Sequence, residues 1–384
     1  MSRNADVVVV GGGVVGASAA YHLAAAGAGR VLLLEREDRL AAGSTGACAG
    51  GFRTQFSSEV NIRLSQASVP MIIGFNEEHG LPLDVVQHGY LFLVRDEAMW
   101  REFVAANELQ RSLGVDAELL TPERAGELAP GISLDGIVGA AYGPQDGIAD
   151  PSGLTQGYAT LARRAGAEIE LGVPITGIRT DGERVTAVET AAGSVEAPVV
   201  LNAAGPWAGV LAATAGVELP LEPIPRHVLV TGAFPRAPER RTLVIDAVTS
   251  FYFHREGPGV LMGMGSPNER PTFDMTPDEV FVADELLPTA VRVFPPIEEA
   301  SVEHSWMGLY EMTPDRHPII GEAPGVEGLY LANGFSGHGF QHAPVVGKIL
   351  AELIVEGRAS TVDISVLGLE RFAVGELMRE RHVV

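Results

Sequence analysis

One cysteine, Cys48, and one lysine, Lys348, are all that this 384-residue chain has of either residue. A single thiol excludes an intrachain disulfide and fits a reducing compartment. A single lysine leaves Schiff-base and pyridoxal chemistry only one candidate, which disfavours both. Positive charge is scarce as well: 27 Lys and Arg against 49 Asp and Glu give a formal net charge of -22. A nucleic-acid partner would need a basic surface to neutralise its phosphates, so none is expected. No long apolar run is clean. Residues 7–29 carry no charge except a possible one on His22, which by length alone would suit a membrane span. Glycines break that run, Asp6 precedes it, and no positively charged leader stands before a small-residue cleavage site, so neither a span nor a signal peptide is expected. The uncharged run 197–217 is split by "NAAGPW" into a strand and a helix. A cytoplasmic protein is the expectation.

What the chain does have is enough apolar content, 46%, to fill two domains. Val7 to Val10 read as a parallel strand buried on both faces, Val14 to Ala26 as a helix ending near Gly27 and Gly29, and residues 30–35 as a second buried strand. "PVVLNAAG" (198–205) and "GLYLANGFSGHGFQHAPVVGKILAEL" (328–353) repeat the strand-turn-helix theme, so the chain is expected to return to one parallel sheet at its middle and end. Residues 89–94, 136–142, 228–234, 251–254 and 259–265 read as strands of a second, mainly antiparallel sheet. The Pro- and Arg-rich stretch 218–241 marks a passage between domains. Asp150-Pro151 opens a helix towards Arg164, and Thr276-Pro277-Asp278-Glu279 has capping-box spacing.

Three glycines follow four valines, where chain flexibility costs most, and a bound phosphate is a compensating reason. Gly11-x-Gly13-x-x-Gly16 between strand and helix has dinucleotide geometry: a tight turn, close backbone approach to pyrophosphate, and close packing of helix on strand. The helix N-terminus offers free N–H groups and the positive end of its dipole. Glu35, closing the second strand, stands where a carboxylate would accept from ribose hydroxyls. These features do not separate FAD from NAD. The glycine-rich "GSTGACAGGFRTQF" (43–56) favours FAD, because it can run along an extended cofactor where a nicotinamide enzyme more often starts another helix.

Together with "NAAGPWAG", "YEMTPDRHPIIG" and "ANGFSGHGFQHAP", these segments make the chain similar, over nearly its whole length, to the D-amino-acid oxidase superfamily. The branch it most resembles holds sarcosine oxidase, dimethylglycine dehydrogenase and the L-proline dehydrogenase beta subunit. The resemblance implies an α/β fold with a glutathione-reductase-type FAD-binding domain (1–80, 145–217, 312–384) and a substrate domain dominated by an antiparallel sheet (81–144, 218–311). It implies that Gly11, Gly13 and Gly16 hold pyrophosphate, Glu35 the adenosine ribose, and Ser44 and Thr45 the phosphates and inner flavin edge. Val173 would give adenine a backbone contact, and Ala204 and Gly205 would approach the cofactor. Val14, Val15, Arg36, Ala49, Gly50, Gly51, Trp207 and Gly308 are further expected contacts. The turn Gly334, Phe335, Ser336, Gly337, His338, Gly339, Phe340, Gln341 would aim a helix N-terminus at the flavin pyrimidine, where charge collects on reduction.

Arg53 is the expected carboxylate anchor, since an arginine fork matches a carboxylate with two parallel bonds; the alternative is packing against the flavin or pairing with Glu59. Tyr252 and Tyr310 would shape the substrate pocket, with His254 on the same strand face as Tyr252. Cys48 reads as a packing residue, and no metal site is expected. Three departures from the family pattern narrow the expectation. Gly308 and Ala47 occupy the cysteine and histidine positions that attach FAD in relatives, so a non-covalent FAD is expected. Gln341 replaces a lysine that adds a second cation for the carboxylate. The segment near Leu261 has no basic residue where oxidases carry an oxygen-activating lysine, which tilts the reading towards a dehydrogenase or sluggish oxidase.

The expected activity is oxidation of the carbon-nitrogen bond of a small amino acid, secondary or N-methyl amine favoured, by hydride transfer to flavin N5. A partner subunit or other electron acceptor is kept as a hypothesis. An NAD-dependent dehydrogenase and a non-catalytic FAD-binding subunit are the alternatives.

Overall fold

Val7–Val10 and Val31–Leu34 are buried at every position, and the computed structural model, which describes residues 3–268 and 270–382, shows what covers them. They lie at the centre of a six-stranded sheet in the order Glu168–Glu170, Val31–Leu34, Val7–Val10, Val199–Asn202, Leu329–Asn333, Ile319–Glu322. The first five strands run parallel and the last is antiparallel. Period-two alternation sends Val7 and Val9 to a helical layer and Val8 and Val10 to the other side. The helical layer holds Val14–Ala25, Glu59–Ile73, Pro151–Arg164 and Gly339–Ala351. The opposite layer is a four-stranded sheet of Arg3–Asn4, Gly193–Glu196, Val185–Thr190 and Ile175–Thr180, whose Ile178, Val185, Val188 and Val195 close the second face. Two covered faces are why these strands read as unbroken apolar runs rather than as alternation.

The first and last of the long helices touch closely. A Cβ on Gly347 would meet the Ser18 Oγ at 2.3 Å and Ser18 backbone at 2.6 Å, so only glycine permits this approach. The helix Pro151–Arg164 is capped as expected, with Asp150 accepting from the Ser152 N–H at 2.9 Å. The expected capping box at Thr276 is corrected: the helix begins at Glu279, and Asp278 is its cap, accepting from the Phe281 N–H at 3.0 Å. The Thr276 hydroxyl instead bonds Asp274.

The second large sheet has eight strands in the order Val302–Met312, Glu222–Thr231, Gly259–Met264, Phe251–Glu256, Leu243–Asp246, Tyr90–Val94, Gly139–Gly143, Glu118–Leu120. All neighbours are antiparallel except Leu243–Asp246 with Tyr90–Val94. The stretch read as a passage, 218–241, therefore contains a ten-residue strand that starts six residues before the expected one. Pro223 and Pro225 are tolerated because only Val302–Met312 pairs with that part of the strand, while Gly259–Met264 pairs from His227 onwards. Leu91, Leu93, Phe251 and Phe253 pack the outer face of this sheet. Tyr90, Phe92, Val228 and Tyr252 take the inner face, and a cavity opens between that face and the parallel sheet.

Candidate functional site

The cavity, about 670 Å³, begins at the glycine turn and ends under the antiparallel sheet. Its first wall is backbone. Gly11 sits at φ +111°, and a Cβ there would meet the Ala203 carbonyl oxygen at 2.3 Å. A Cβ on Gly16 would sit 1.9 Å from the Gly11 oxygen, so Gly16 serves helix-on-strand packing and does not itself line the cavity. Gly13 is the N-cap of Val14–Ala25 and supplies no side-chain cap. The Val14 N–H finds the Thr45 hydroxyl at 3.2 Å. A helix N-terminus opening into a cavity with its dipole uncompensated favours an anion. Glu35 accepts from the Gly12 N–H at 2.5 Å and the Glu37 N–H at 2.9 Å. An ionised carboxylate accepts about four bonds, so acceptor capacity remains for a diol.

The far wall is the turn after Leu329–Asn333. Gly334, Ser336 and Gly337 take positive φ of 73°, 49° and 93°. A Cβ on Gly337 would collide with the Tyr310 ring at 2.3 Å. The turn is fastened to the strand Val302–Met312: Ser336 N–H donates to the Glu311 carbonyl at 3.2 Å and Phe335 N–H to the Glu311 carboxylate at 3.3 Å. His338 then leads into Gly339–Ala351, a second helix start without a side-chain cap. His338 is held well below the ordinary histidine range, first by burial and then by His342 and Arg53, so its ring is neutral. Burial raises the Tyr252 phenol well above its usual range, lifts the Glu311 carboxyl to about 7 and lifts the Cys48 thiol to about 11. Cys48 thus stays a packing thiol, its sulfur accepting from the Gly50 N–H at 3.2 Å.

Arg53 is 4% exposed yet lines the cavity. Its guanidinium lies 3.9 Å over the Phe56 ring and donates to the carbonyls of Gln55 and His382. Glu59 pairs with Arg63 instead, at 3.4 Å. Asp146 ties down the loop beyond Arg53, accepting from the Thr54 N–H at 2.9 Å and from Thr54 Oγ1 and Gln55 Nε2 at 3.0 Å. The Gln341 amide is locked on the Arg53 backbone, accepting from its N–H at 2.9 Å and donating to its carbonyl at 3.2 Å. Gln341 thereby braces Arg53 as much as it faces the cavity.

The cavity gathers the predicted residues from across the chain, with Gly16, Gly50, Val173, Gly334 and His254 outside its lining. The Val173 N–H is spent on the Glu35 carbonyl at 2.9 Å, and Ile175 and Thr176 line the cavity in its place. The His254 ring nitrogens contact the carbonyls of Arg255 at 2.8 Å and Ala49 at 3.1 Å. Leu261 is buried with Tyr252 and Val228 in the apolar inner face, away from the lining. Sequence reasoning missed Tyr90, Arg226 and Glu311. Arg226 lies 4.7 Å from the Tyr310 ring centroid, and its alternation with Val228 along "PIPRHVLV" was the available signal. Glu311 follows Tyr310 directly, but nothing local marks it as buried.

The residues fit an extended flavin dinucleotide. Two helix starts whose N-cap residues lend no side-chain bond open on the cavity, Glu35 keeps free acceptor sites, and two buried lining atoms, Glu311 Oε2 and His338 Nε2, have no hydrogen-bond partner among the described residues. A three-layer dinucleotide domain whose cavity continues beneath a large antiparallel sheet is the layout of an FAD-dependent oxidoreductase. The chain belongs to the FAD dependent oxidoreductase family, DAO, which it matches over residues 6–353. It is 33% identical to FAD-dependent oxidoreductase domain-containing protein 1 of Xenopus laevis, across 100% of this chain and 85% of that protein. Mitochondrial sarcosine dehydrogenase of Mus musculus is 32% identical over 93% of this chain, which spans 40% of that longer protein. Among solved structures, L-proline dehydrogenase from P. horikoshii superposes with a TM-score of 0.90 at 32% identity, covering 98% of this chain and 100% of that one. Glycine oxidase from Geobacillus kaustophilus follows at 0.86 and 28% identity, covering 96% and 99%. The chain is thus an FAD-dependent oxidoreductase enzyme, and no described helix is long and apolar enough to cross a membrane.

Proposed function

We propose that this enzyme oxidises the carbon-nitrogen bond of a small amino acid, with a secondary or N-methyl amine of the sarcosine, glycine or proline type favoured. The observation that carries the reading is a buried arginine, Arg53, on the wall of the cofactor cavity beside Tyr252, Tyr310 and the 334–341 turn. A cation removed from water on the wall of a pocket selects an anion, and a carboxylate matches its planar donors. Bound FAD supplies the two-electron oxidation.

Gly11, Gly13, Val14, Glu35, Ser44, Thr45 and the 334–341 turn are the residues that would hold it. Arg53 binds and orients the carboxylate, and Tyr90, Tyr252 and Tyr310 close the pocket around the carbon to be oxidised. With Tyr252 and His338 both neutral, none of them repels an ammonium group or needs to remove a proton if the amine reacts in its neutral form. Gly308 faces Ala47, where a Cβ would come within 2.8 Å of the Ala47 Cβ, and neither residue carries a nucleophile; this supports non-covalent FAD. A cytoplasmic setting, and a partner subunit or other acceptor that takes up the electrons, belong to the same proposal.

The test is anaerobic titration of the purified yellow protein with amino acids and N-methyl amines. Bleaching of the visible flavin band by a carboxylate-bearing secondary amine is the expected result. Bleaching by none of a broad panel would favour a non-catalytic FAD-binding role.

A further inference from the structure

We infer that the segment Glu380–His382 is a latch that sets the direction of the Arg53 guanidinium, and through it the strength with which the site holds a substrate carboxylate. The inference rests on Arg53 being the carboxylate anchor. Arginine has five N–H donors in a rigid fork, and two of those on Arg53 are committed to carbonyls. One, Gln55, belongs to the same loop and costs the fold little to place. The other, His382, is 329 residues away in sequence and must be brought there.

The segment is built to do so. Glu380 is fully buried and accepts from Ser57 N–H at 2.8 Å, Ser57 Oγ at 2.6 Å, Ser58 Oγ at 2.8 Å, Asn61 Nδ2 at 3.1 Å and His382 N–H at 3.0 Å. Its own N–H donates to the Asp315 carbonyl at 3.1 Å, and the Arg381 N–H to Ser57 Oγ at 2.8 Å. The His382 ring stacks on Phe103 with centroids 4.1 Å apart and planes 14° apart. Burying a carboxylate is costly unless donors surround it, and here five do. The result is a carbonyl fixed against a guanidinium whose other face rests on Phe56. Because Arg53 lines the cavity, the donors left over are those available to a ligand. Without the His382 carbonyl the fork keeps only the Gln55 carbonyl and the Phe56 ring, can turn about its long side chain, and loses the paired alignment that a carboxylate needs.

The experiment uses the FAD-loaded protein and two probes without an oxidisable amine, 2-furoate and its uncharged analogue 2-furamide, with binding read from the shift in the visible flavin spectrum. Glu380→Ala is expected to raise the furoate Kd about tenfold, the size of a lost charge-assisted bond, and to leave furamide unchanged. In an Arg53→Met background the same substitution should have no further effect on furoate. Equal losses for both probes, or a loss that persists in the Arg53→Met background, would overturn the latch and leave the segment a structural element. Should Glu380→Ala not retain FAD, Glu380→Gln, which removes the charge, and Ser57→Ala, which removes the two bonds of the Ser57 hydroxyl, are read by the same criteria. If Arg53→Met alone leaves furoate binding intact, the anchor itself fails; if it weakens furoate while the Glu380 variants do not, only the latch fails.

Discussion

The two ends of the cavity are made of different material. At the dinucleotide end much of the wall is main chain: Gly11 is pressed against the Ala203 carbonyl oxygen, Gly16 packs behind it against the Gly11 oxygen, a helix start faces the cavity, and Glu35, held by two N–H groups, stands beside Arg36, Glu37, Asp38 and Arg39. At the other end the wall is side chain: Arg53, Tyr90, Tyr252 and Tyr310 come from distant strands and loops and are held by groups as remote as His382. A backbone wall recognises what every dinucleotide shares and tolerates no added atoms. A side-chain wall can be altered residue by residue, which is where members of one family can differ in substrate.

The contrast can be tested from its strongest point downwards. Gly16→Ala places a methyl 1.9 Å from the Gly11 oxygen, and should cost about 4 kcal/mol or more, read as a large fall in Tm and loss of flavin absorbance. If the variant kept its FAD, the claim that the dinucleotide wall cannot yield would fail. Arg53→Met should lower kcat/KM for carboxylate substrates about 100-fold, or about 3 kcal/mol, while FAD content stays normal; loss of FAD in step with activity would erase the division between the two ends.

Glu311 joins the ends, and its effect depends on pH. Its folded pKa, raised by burial from the ordinary 4.5 to about 7, means that the neutral acid suits the fold. The stability it contributes is complete below about pH 4.5 and is lost as pH rises through 7. Denaturant unfolding of the FAD-free protein should therefore show Glu311→Gln gaining on the parent between pH 5 and pH 8, by about 2 kcal/mol. A pH-independent difference would count against the burial. Smallest is Glu35→Gln, expected to weaken FAD about tenfold, or about 1.4 kcal/mol, measured by dialysis, with substrate selectivity untouched.

The legible parts share one property, that their signal lies within a short stretch. The unbroken valines, the three glycines and the strand-turn-helix returns at 198–205 and 328–353 specify the parallel sheet and its glycine turn, because each is one strand followed by the backbone freedom its turn demands. The four-stranded covering sheet was not read, since Ile175–Thr180 and Val185–Thr190 are half-exposed and carry no clean alternation. The strand Glu222–Thr231 was shortened because proline is a poor strand former, and only pairing on one side explains why two are accommodated.

For the site, types were readable and engagements were not. Arg53 is visible as an arginine in a glycine-rich loop, but that its fork is shared with His382 follows from a contact across the whole chain. Val173 shows the same limit, since its type does not reveal that its N–H is engaged by the Glu35 carbonyl. By itself the sequence determined a dinucleotide-binding α/β domain and its glycine turns, since these depend on periodicity and glycine conformation, while FAD rather than NAD was favoured by the 43–56 segment and the family resemblance. Which side chains face the second half of the cavity, which charge is buried and which carbonyl orients the arginine were decided by tertiary structure alone, because long-range packing sets burial and partner together.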